Sequence, residues 1–504
     1  MDSPSPESAI LITGAGLAGL AAALRLARAG HRVVLLEAGP AHGGCCSTTE
    51  VDGFSFNNGA VYVAVPSLLR RAFADLGLDL DAEVPMSAIE RPLESHLGDG
   101  SVVHLADAAT SYVEGPRGTD RTQLLRQGLA DLQRDWAPVY RALVDHVLPG
   151  GPSPWNALRH LGLHLPKMRG SIASLLRRRF PNPGIQAALG SLLLYAGLPP
   201  ERLPASQIIG LLALLEEGFH LPHGGMGAIS DALLRHALAA GAELRLDQRV
   251  DRIEVAGGAV TGLVLEHGGR IAASQVIATV PGFEVAERLL PPGAAPRRLA
   301  RPARRAPLSH RAISIQLGCA EPAGVGSFIV NHVPALERHA LMHEAQAAAP
   351  EWLSFTVPTR VLPGLAPAGR GIVECFAPVS GIASASEWTP EQTEIAVEHH
   401  LEGLRQRWPA LSVETIRVID PVGFRDRRHL YEGALYGVAP GTPPQQLFPR
   451  RPGIDGLYLA GQTTFPGYGV APAALSGLQA AEALLHDERR RTRARLRRHA
   501  PADR

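Results

Sequence analysis

The hydrophobic pattern at the start of the chain predicts a strand, a helix and a second strand in close succession. Residues 9–13 form a short apolar run suited to a buried parallel strand, and residues 20–29 form an apolar helix closed by Gly30. Residues 32–36 again favour a buried strand, which ends at Glu37. Two strands joined by a helix predict a βαβ unit with both strands parallel in one sheet.

Later segments show either the hydrophobic periodicity of a helix or that of a strand. Apolar residues at intervals of three and four predict an amphipathic helix over 125–147 with a kink at Pro138. Residues 312–317 and 372–376 alternate between apolar and polar positions, which predicts strands of a separate sheet. The apolar segment 474–485 predicts a further helix.

Three glycines between the first strand and the first helix predict a phosphate-binding turn. Gly14 permits a tight turn, Gly16 lets the backbone approach a diphosphate, and Gly19 lets helix and strand pack closely. The helix N-terminus then faces the phosphates. Glu37 stands at the end of the second strand, where a carboxylate accepts hydrogen bonds from an adenosine ribose. An acid there disfavours a 2′-phosphate, so the sequence predicts FAD or NAD.

Composition narrows the class of protein. The chain has 504 residues, 45% of them hydrophobic, and a formal net charge of +1, which excludes a disordered chain and gives no case for nucleic-acid binding. Four cysteines do not make a disulfide scaffold at this length, so we expect a cytoplasmic compartment. No window of about 20 residues is apolar enough to span a bilayer. No metal-ligand spacing or Ser/His/Asp set is recognisable, so we predict no metal site and leave the catalytic residues unassigned.

A family resemblance separates FAD from NAD. The small-residue loop 43–46 and the segment 456–470, which reads GLYLAGQTTFPGYGV, resemble the flavin-binding signatures of the amine oxidase and phytoene desaturase superfamily. Between them, residues 219–281 resemble the family's middle block, in which the strand ending at Val250 contacts adenine and 275–281 is a strand of the nucleotide domain. The three blocks follow the order of the family, which implies a flavoprotein oxidoreductase.

The resemblance also implies a set of FAD-binding residues and a division into domains. The cofactor-binding residues are Gly14, Ala15, Gly16, Leu17, Ala18, Gly19, Glu37, Ala38, Gly43, Gly44, Cys45, Cys46, Gly59, Ala60, Val61, Val250, Gly461, Gln462, Gly469 and Val470. The fold class is α/β: residues 1–100, 218–290 and 440–486 form a discontinuous Rossmann-type FAD-binding domain, 101–217 a helical lid, 291–439 a substrate domain with a mixed sheet, and 487–504 a basic tail.

The chain departs from the family pattern in the flavin loops. Cys45 and Cys46 stand where many desaturases carry a basic residue, which is closer to the isomerase and retinol-saturase branch. Asn57 stands in place of the usual Asp, Ala60 in place of a frequent Pro, and Gln462 at a position that is often acidic. None of these changes removes a phosphate or ribose contact. We interpret the cysteines as small residues lining the flavin loop, with a covalent flavin link or a thiol relay as alternatives.

The reaction implied by the resemblance is desaturation of an apolar isoprenoid, such as a carotenoid precursor, by hydride transfer to the flavin. The alternatives are cis–trans isomerisation or saturation of a polyene, oxidation of an amine within an aromatic cage, and a flavin-free structural or membrane-adaptor protein. No second strand–GxGxxG–helix unit follows Gly59. We therefore expect oxygen, a quinone or another membrane acceptor to reoxidise the flavin, rather than NAD(P) bound in this chain.

A basic, acid-free stretch points to a membrane surface. Residues 146–200 contain no Asp or Glu, and their cations, densest at 177–179, alternate with large apolar residues. Anionic bilayers bind such surfaces, so we predict peripheral membrane contact; a lid over a substrate tunnel is a compatible alternative. Two further basic clusters, 297–305 and 489–504, are interpreted as a solvated linker and a frayed helix end. The sequence leaves the oligomeric state open.

Overall fold

The computed structural model describes residues 9–193, 198, 200–322, 324–333, 353–379 and 381–499. Parts of the predicted segments lie outside the described residues: 1–8 of the first cofactor segment, 194–197 and 199 of the membrane-facing stretch, 323, 334–352 and 380 of the substrate domain, and 500–504 of the tail.

The described residues alternate between short strands and helices. The strands, numbered along the chain, are β1 (Ile10–Thr13), β2 (Val33–Leu36), β3 (Thr48–Val51), β4 (Phe54–Asn57), β5 (Met86–Ala88), β6 (Leu93–Leu97), β7 (Val102–Leu105), β8 (Tyr112–Glu114), β9 (His220–Pro222), β10 (Glu243–Arg245), β11 (Val250–Ala256), β12 (Ala259–Leu265), β13 (Arg270–Ala272), β14 (Val276–Ala278), β15 (Arg311–Ala320), β16 (Ile329–Val333), β17 (Leu353–Thr356), β18 (Arg370–Val379), β19 (Val413–Ile419) and β20 (Leu457–Leu459). The α-helices are Leu17–Arg28, Pro66–Asp75, Leu80–Glu83, Gly118–Arg141, Leu148–Gly150, Pro154–Leu161, Ile172–Arg179, Pro183–Leu193, Ile209–Glu217, Gly227–Ala239, Gly282–Glu284, Arg297–Arg305, Pro390–Arg407, Pro421–Arg428 and Val470–His499.

A five-stranded parallel sheet carries the predicted nucleotide-binding elements. Its strand order is β10-β2-β1-β14-β20, and every neighbouring pair is parallel. All residues of β1 and β2 are buried, as their continuous apolar runs predict. The helices Leu17–Arg28 and Val470–His499 pack so closely that a Cβ added at Gly477 would lie 1.9 Å from the carbonyl oxygen of Ala18. The predicted α/β fold class is confirmed.

The predicted strand over 241–250 is divided between two sheets. Residues Glu243–Arg245 join the parallel sheet beside β2, whereas Val250 begins β11 in the antiparallel sheet β11-β12-β13. Asp247, with φ of 53°, turns the chain between them, and the amide of Gln248 donates to the carbonyl oxygen of Glu37 at 2.8 Å. The turn places Val250 near the ribose acid, although it is not in the same sheet.

A second, eight-stranded sheet lies in the order β19-β15-β18-β17-β16-β6-β7-β8. Strands β15 and β18 contain the predicted segments 312–317 and 372–376 and pair antiparallel along their whole length. Their residues are buried almost throughout, because the helix Pro390–Arg407 packs against the same hydrophobic cluster. The predicted strands of a separate sheet are therefore present, and both of their faces are covered.

Residues 93–114 lie in this eight-stranded sheet. The predicted domain division separates them at residue 100, but the structure places β6, β7 and β8 together at one end of the sheet. Strand β6 pairs parallel with β16, so that Leu93 lies beside Ile329 although the two are far apart along the chain. Local hydrophobic periodicity cannot reveal a pairing between segments so far apart along the chain. The division into domains stays a proposal.

Helices dominate the region between 118 and 217. The helix Gly118–Arg141 continues past Pro138 and passes into a π-helical turn, Ala142–Val147, shortly after the proline. The basic cluster at 297–305 also forms a helix rather than the predicted linker. Leu299 and Pro302 anchor that helix in the core while its arginines are exposed, which gives it a one-sided apolar face.

Among the described residues, no helix combines the length and the apolar character needed to cross a membrane.

Candidate cofactor site

Three parallel strands of the five-stranded sheet end side by side, and their loops form the candidate site. The loops follow β1, β14 and β20, whose order in the sheet makes them neighbours. Thr279, after β14, donates its hydroxyl to the carbonyl oxygens of Thr13 and Gly14 at 2.8 and 3.1 Å. A Cβ added at Gly461, after β20, would lie 2.9 Å from the carbonyl oxygen of Thr279. Ligands of parallel sheets bind at this carboxyl edge.

Glycine is required at two positions of the first loop. Gly14 has φ of 100°, and a Cβ there would lie 2.7 Å from Thr279 Oγ1. A Cβ at Gly19 would lie 2.0 Å from the carbonyl oxygen of Gly14, so the helix could not approach the turn with a side chain there. Both positions have the close approach that the sequence motif predicts.

Gly16 differs, because no atom lies within 4 Å of the position that its Cβ would occupy. It is the N-cap of the helix Leu17–Arg28, and no side chain caps that helix. The amides of the first turn therefore border open space, where the positive end of the helix dipole favours an anion. This geometry fits a diphosphate bound at Gly16, Leu17 and Ala18.

Glu37 directly follows β2 and is buried next to the turn. One carboxylate oxygen accepts from the amide of Ala15 at 2.8 Å and the other from the amide of Gly39 at 2.9 Å. Each oxygen keeps a further acceptor position for a hydroxyl group. With Ala38 following and Val250 close by, this end of the site fits an adenosine, so the residues present can accommodate the ADP half of FAD.

The paired glycines pack directly on the phosphate turn. The amide of Gly43 donates to the carbonyl oxygen of Ala15 at 2.8 Å, and Gly16 and Gly43 form an isolated parallel bridge. Gly43 and Gly44 have φ of 91° and 57°, and a Cβ at Gly43 would lie 2.7 Å from Ser230 Oγ. Glycine is therefore required at Gly43, whereas at Gly44 only the positive φ favours it, since a Cβ there would lie 3.6 Å from the nearest atom.

The adjacent cysteines are free thiols rather than a disulfide. Cys46 is buried and its thiol donates to the carbonyl oxygen of Met226, while Cys45 is half-buried. Burial raises the pKa of both thiols. A thiol relay requires a thiolate, so the environment favours their interpretation as small residues of the flavin loop.

The loop after β4 closes against these cysteines. The amide of Ala60 donates to the carbonyl oxygen of Cys45 at 2.9 Å, and a Cβ at Gly59 would lie 3.0 Å from that of Cys45. Gly59 is exposed, and Ala60 and Val61 are half-buried, so the loop borders accessible space.

The loop after β20 contributes an unpaired polar group. The amide of Gly461 donates to Ser476 Oγ at 3.0 Å, and Gly469, with φ of 107°, precedes the helix that begins at Val470. Gln462 Nε2 is buried and has no hydrogen-bond partner among the described residues. An unpaired buried donor costs free energy, so its presence fits a polar ligand edge, as on an isoalloxazine ring.

Two features of the site escaped the sequence analysis. Tyr436 and Tyr468 stack with ring centroids 4.3 Å apart, next to Gly437, where a Cβ would lie 3.5 Å from Gln462 Nε2. Tyr468 lies in the flavin segment 456–470, but no pattern in the sequence marks Tyr436 as its stacking partner.

The second missed feature is a buried polar network between the flavin loops and the eight-stranded sheet. The carboxylate of Glu374 accepts from the amide of Asn57 at 3.1 Å and from Gln316 Nε2 at 3.2 Å. Arg417 donates to Asn58 Oδ1 at 2.6 Å and also to the amide oxygen of Gln316. Burial raises the pKa of Glu374 to about 7. The residues of this network come from distant parts of the chain, so no local pattern in the sequence could reveal them.

Comparison with known proteins agrees with this geometry. A model of the family described as flavin containing amine oxidoreductase matches residues 17–485. The chain is 29% identical to a phytoene dehydrogenase of Streptomyces griseus over 95% of each chain. It is 24% identical to a 4,4'-diapolycopene oxygenase of Methylomonas sp, covering 93% of this chain and 96% of the relative. An oxidoreductase structure from Methanosarcina mazei superposes with a TM-score of 0.65 and 19% identity, covering 94% of this chain and all of the other, a likeness that concerns the fold.

Proposed function

Because the chain belongs to the flavin containing amine oxidoreductase family, we propose that it is an FAD-dependent desaturase of an apolar polyene, such as a carotenoid precursor. That the chain is an FAD-dependent oxidoreductase follows from the family; the substrate class is the proposal. The observation that carries it is the 29% identity to a phytoene dehydrogenase over 95% of both chains. A match of that extent includes the lid and the substrate sheet as well as the nucleotide loops.

Different residues of the site would bind different parts of the cofactor. Gly14 to Gly19 would bind the diphosphate, Glu37 the ribose, and the loops 59–61 and 461–470 the flavin ring. Bound FAD supplies the acceptor for a hydride from an allylic carbon, while a proton leaves the neighbouring carbon. Glu374 is held by hydrogen bonds from Asn57, Gln316 and Thr356, which suits a structural role better than a mobile proton acceptor. A delocalised polyene cation could lose its proton without a positioned base.

Anaerobic reduction of the flavin tests the proposal. Holoenzyme mixed with a phytoene-type polyene in liposomes should lose its flavin absorbance while a more conjugated polyene forms. Rapid bleaching by NADPH in the absence of lipid would instead support saturation. Isomer conversion that needs reduced FAD but consumes no electrons would support isomerisation.

The amine alternative has one specific feature to test, which is the pair of Tyr436 and Tyr468. Two aromatic rings next to a flavin could enclose an amine, but these rings are in stacking contact at 4.3 Å and leave no gap between them. We therefore expect no bleaching by aliphatic amines such as putrescine. Bleaching by an amine but not by a polyene would overturn the proposed substrate class.

We propose further that a surface within residues 146–200 binds an anionic membrane. Its apolar members are Trp155, Leu158, Leu163 and Leu165, and its cations are Arg159, Lys167 and Arg169; together they form the lid surface. Trp155 is 79% exposed and Leu163 94% exposed, and all three cations are exposed. A surface of this kind binds anionic lipid through both apolar burial and charge.

The arginines 177–179 are the densest cations of the acid-free stretch, but two of them are less available for binding lipid than the sequence predicts. Arg177 pairs with Glu201 at 3.3 Å, and Arg179 pairs with Asp135. These acids lie outside the acid-free stretch in sequence but beside it in space, so two of the three charges are partly neutralised. The lid surface is therefore the better candidate for lipid contact.

Sedimentation with vesicles tests the lid surface. Replacing Leu163 with Ser should weaken binding to phosphatidylserine-containing vesicles by about tenfold, because a fully exposed leucine would lose its burial in lipid. Leu238→Ser is the control, since Leu238 is also an exposed leucine, at 46%, but lies on the helix Gly227–Ala239. Equal sedimentation of both variants and wild type would contradict the proposal.

A further inference from the structure

The helix Pro421–Arg428 reaches the flavin loops from a distant part of the chain. Asp420 caps its first turn by accepting from the amide of Gly423 at 2.7 Å. At its other end, Phe424 and Leu430 form a hydrophobic cluster against which Cys45 packs. His429, which directly follows the helix, has its Nε2 3.9 Å from the Cβ position of Gly39, beside Glu37. The end of this helix is therefore next to both the paired-glycine loop and the ribose acid.

Arg428 is the last residue of the helix. Its Nε is shielded from solvent and makes no hydrogen bond within the described residues, and none of the ion pairs described involves this residue. The neighbouring arginines are satisfied: Arg425 bonds the carboxylate of Asp426, and Arg427 donates to the carbonyl oxygen of Val418 at 3.0 Å. Arg428 is half-buried, and a shielded guanidinium nitrogen without a hydrogen-bond partner costs free energy that a bound anion would recover.

The nearby acid does not meet this need. Burial lowers the pKa of Arg428, and Cys45 and Glu37 are close enough to oppose that shift. The carboxylate of Glu37, however, is already bonded to the amides of Ala15 and Gly39. A second half-buried arginine, Arg417, lies close by and bonds the neutral amides of Asn58 and Gln316. Glu374 lies near Arg417 through the shared Gln316, but among the described residues no carboxylate makes a hydrogen bond or ion pair with Arg428.

We propose that Arg428 is a cofactor-binding residue whose guanidinium pairs with the diphosphate of FAD. This assignment rests on the proposed flavoenzyme function. The diphosphate is the anionic part of FAD. Gly16, which borders the open space, forms a β-bridge with Gly43, and Gly43 belongs to the same loop as Cys45. A guanidinium binds phosphate oxygens through two parallel hydrogen bonds, which makes arginine suited to this position.

Fragments of the cofactor test the assignment without catalysis. Calorimetric titration of flavin-stripped protein should show ADP binding more tightly than adenosine. Arg428→Gln should weaken binding of FAD and of ADP by about 10- to 100-fold, the range for a lost charge-assisted hydrogen bond, and leave adenosine affinity unchanged. Arg427→Gln, the exposed neighbour, should change neither affinity, and Arg428→Lys should recover part of the ADP affinity.

Thermal unfolding separates this role from a structural one. Because Arg428 makes no hydrogen bond to the described residues, flavin-stripped Arg428→Gln should melt at the wild-type temperature or above, while the increase caused by added FAD should shrink. A flavin-stripped variant that melts well below wild type, or one with full affinity for FAD and ADP, would overturn the assignment. Wild-type protein that takes up no FAD would instead overturn the proposed function.

Discussion

The two large sheets border the flavin loops in opposite ways. At the edge of the parallel sheet, Gly16 leaves open space, and the helix that follows it has no side-chain cap. At the eight-stranded sheet, the side chains of Glu374, Gln316 and Arg417 bond one another and the asparagines at 57 and 58. The first region keeps unused hydrogen-bonding capacity at a helix terminus, whereas the charged side chains of the second are bonded within the protein. Asn57 Nδ2 is the group of that second network that is buried without a partner among the described residues. A ligand site is recognised by that difference rather than by polarity alone.

The largest effects should come from two glycines of the parallel sheet. Gly19→Val should unfold the turn or lower the free energy of unfolding by about 3 kcal/mol or more, because its Cβ position lies only 2.0 Å from the carbonyl oxygen of Gly14. Gly16→Val should leave the melting temperature of the flavin-stripped protein unchanged but abolish bound flavin, since its side chain would fill the open space. If Gly16→Val retains the yellow colour of wild type, that space is not where the diphosphate binds.

The network of the eight-stranded sheet should respond to pH. The pKa of Glu374 is raised from 4.5 to about 7, so the folded protein keeps a proton that the unfolded chain loses. Stability from this group is therefore complete below about pH 4.5 and falls as the pH rises to about 7, by about 3 kcal/mol in total. Urea unfolding of wild type and Glu374→Gln across this range should show the fall in wild type only. Parallel pH profiles of the two proteins would contradict the shifted pKa.

Glu37 combines both kinds of region, because it accepts hydrogen bonds from the backbone of the chain and would also accept them from the ribose of the ligand. Glu37→Ala should weaken FAD binding by about 1.5–3 kcal/mol through loss of charge-assisted hydrogen bonds. Glu50→Ala, at an exposed acid on β3, is a matched control for the loss of one negative charge. Flavin fluorescence titration measures both. An equal loss in the two variants would indicate an effect of net charge.

The smallest effect is expected at the cysteines. Cys45→Ser and Cys46→Ser should each change FAD affinity by less than about 1 kcal/mol, as expected for small residues that fill the loop. Hydride transfer rates should remain close to wild type. Loss of flavin reduction in Cys45→Ser, with FAD still bound, would restore the thiol relay as an alternative.

What the sequence revealed depended on whether the residues concerned are close along the chain. The phosphate turn, its helix and Glu37 follow one another directly, and their conformations are imposed by glycines and by continuous apolar strands. The position of β6 beside β16, the bonding of Asn57 to Glu374, and the placement of Arg428 depend on pairings between segments far apart along the chain. The burial of both faces of β15 was likewise unpredictable, because it depends on a helix, Pro390–Arg407, that covers the sheet.

The strand order of the parallel sheet also sets when this protein can become a flavoprotein during synthesis. Strand β1 pairs with β14, β14 pairs with β20, and the first long helix packs on Val470–His499. A ribosome must therefore deliver the chain at least as far as the helix Val470–His499 before the edge that would hold the cofactor is complete. Pairings of such sequence separation form slowly, since long loops must close first. The glycine turn is synthesised early, but the loops after β14 and β20 that complete the site are synthesised much later. Until then, the exposed apolar strands would need protection from aggregation.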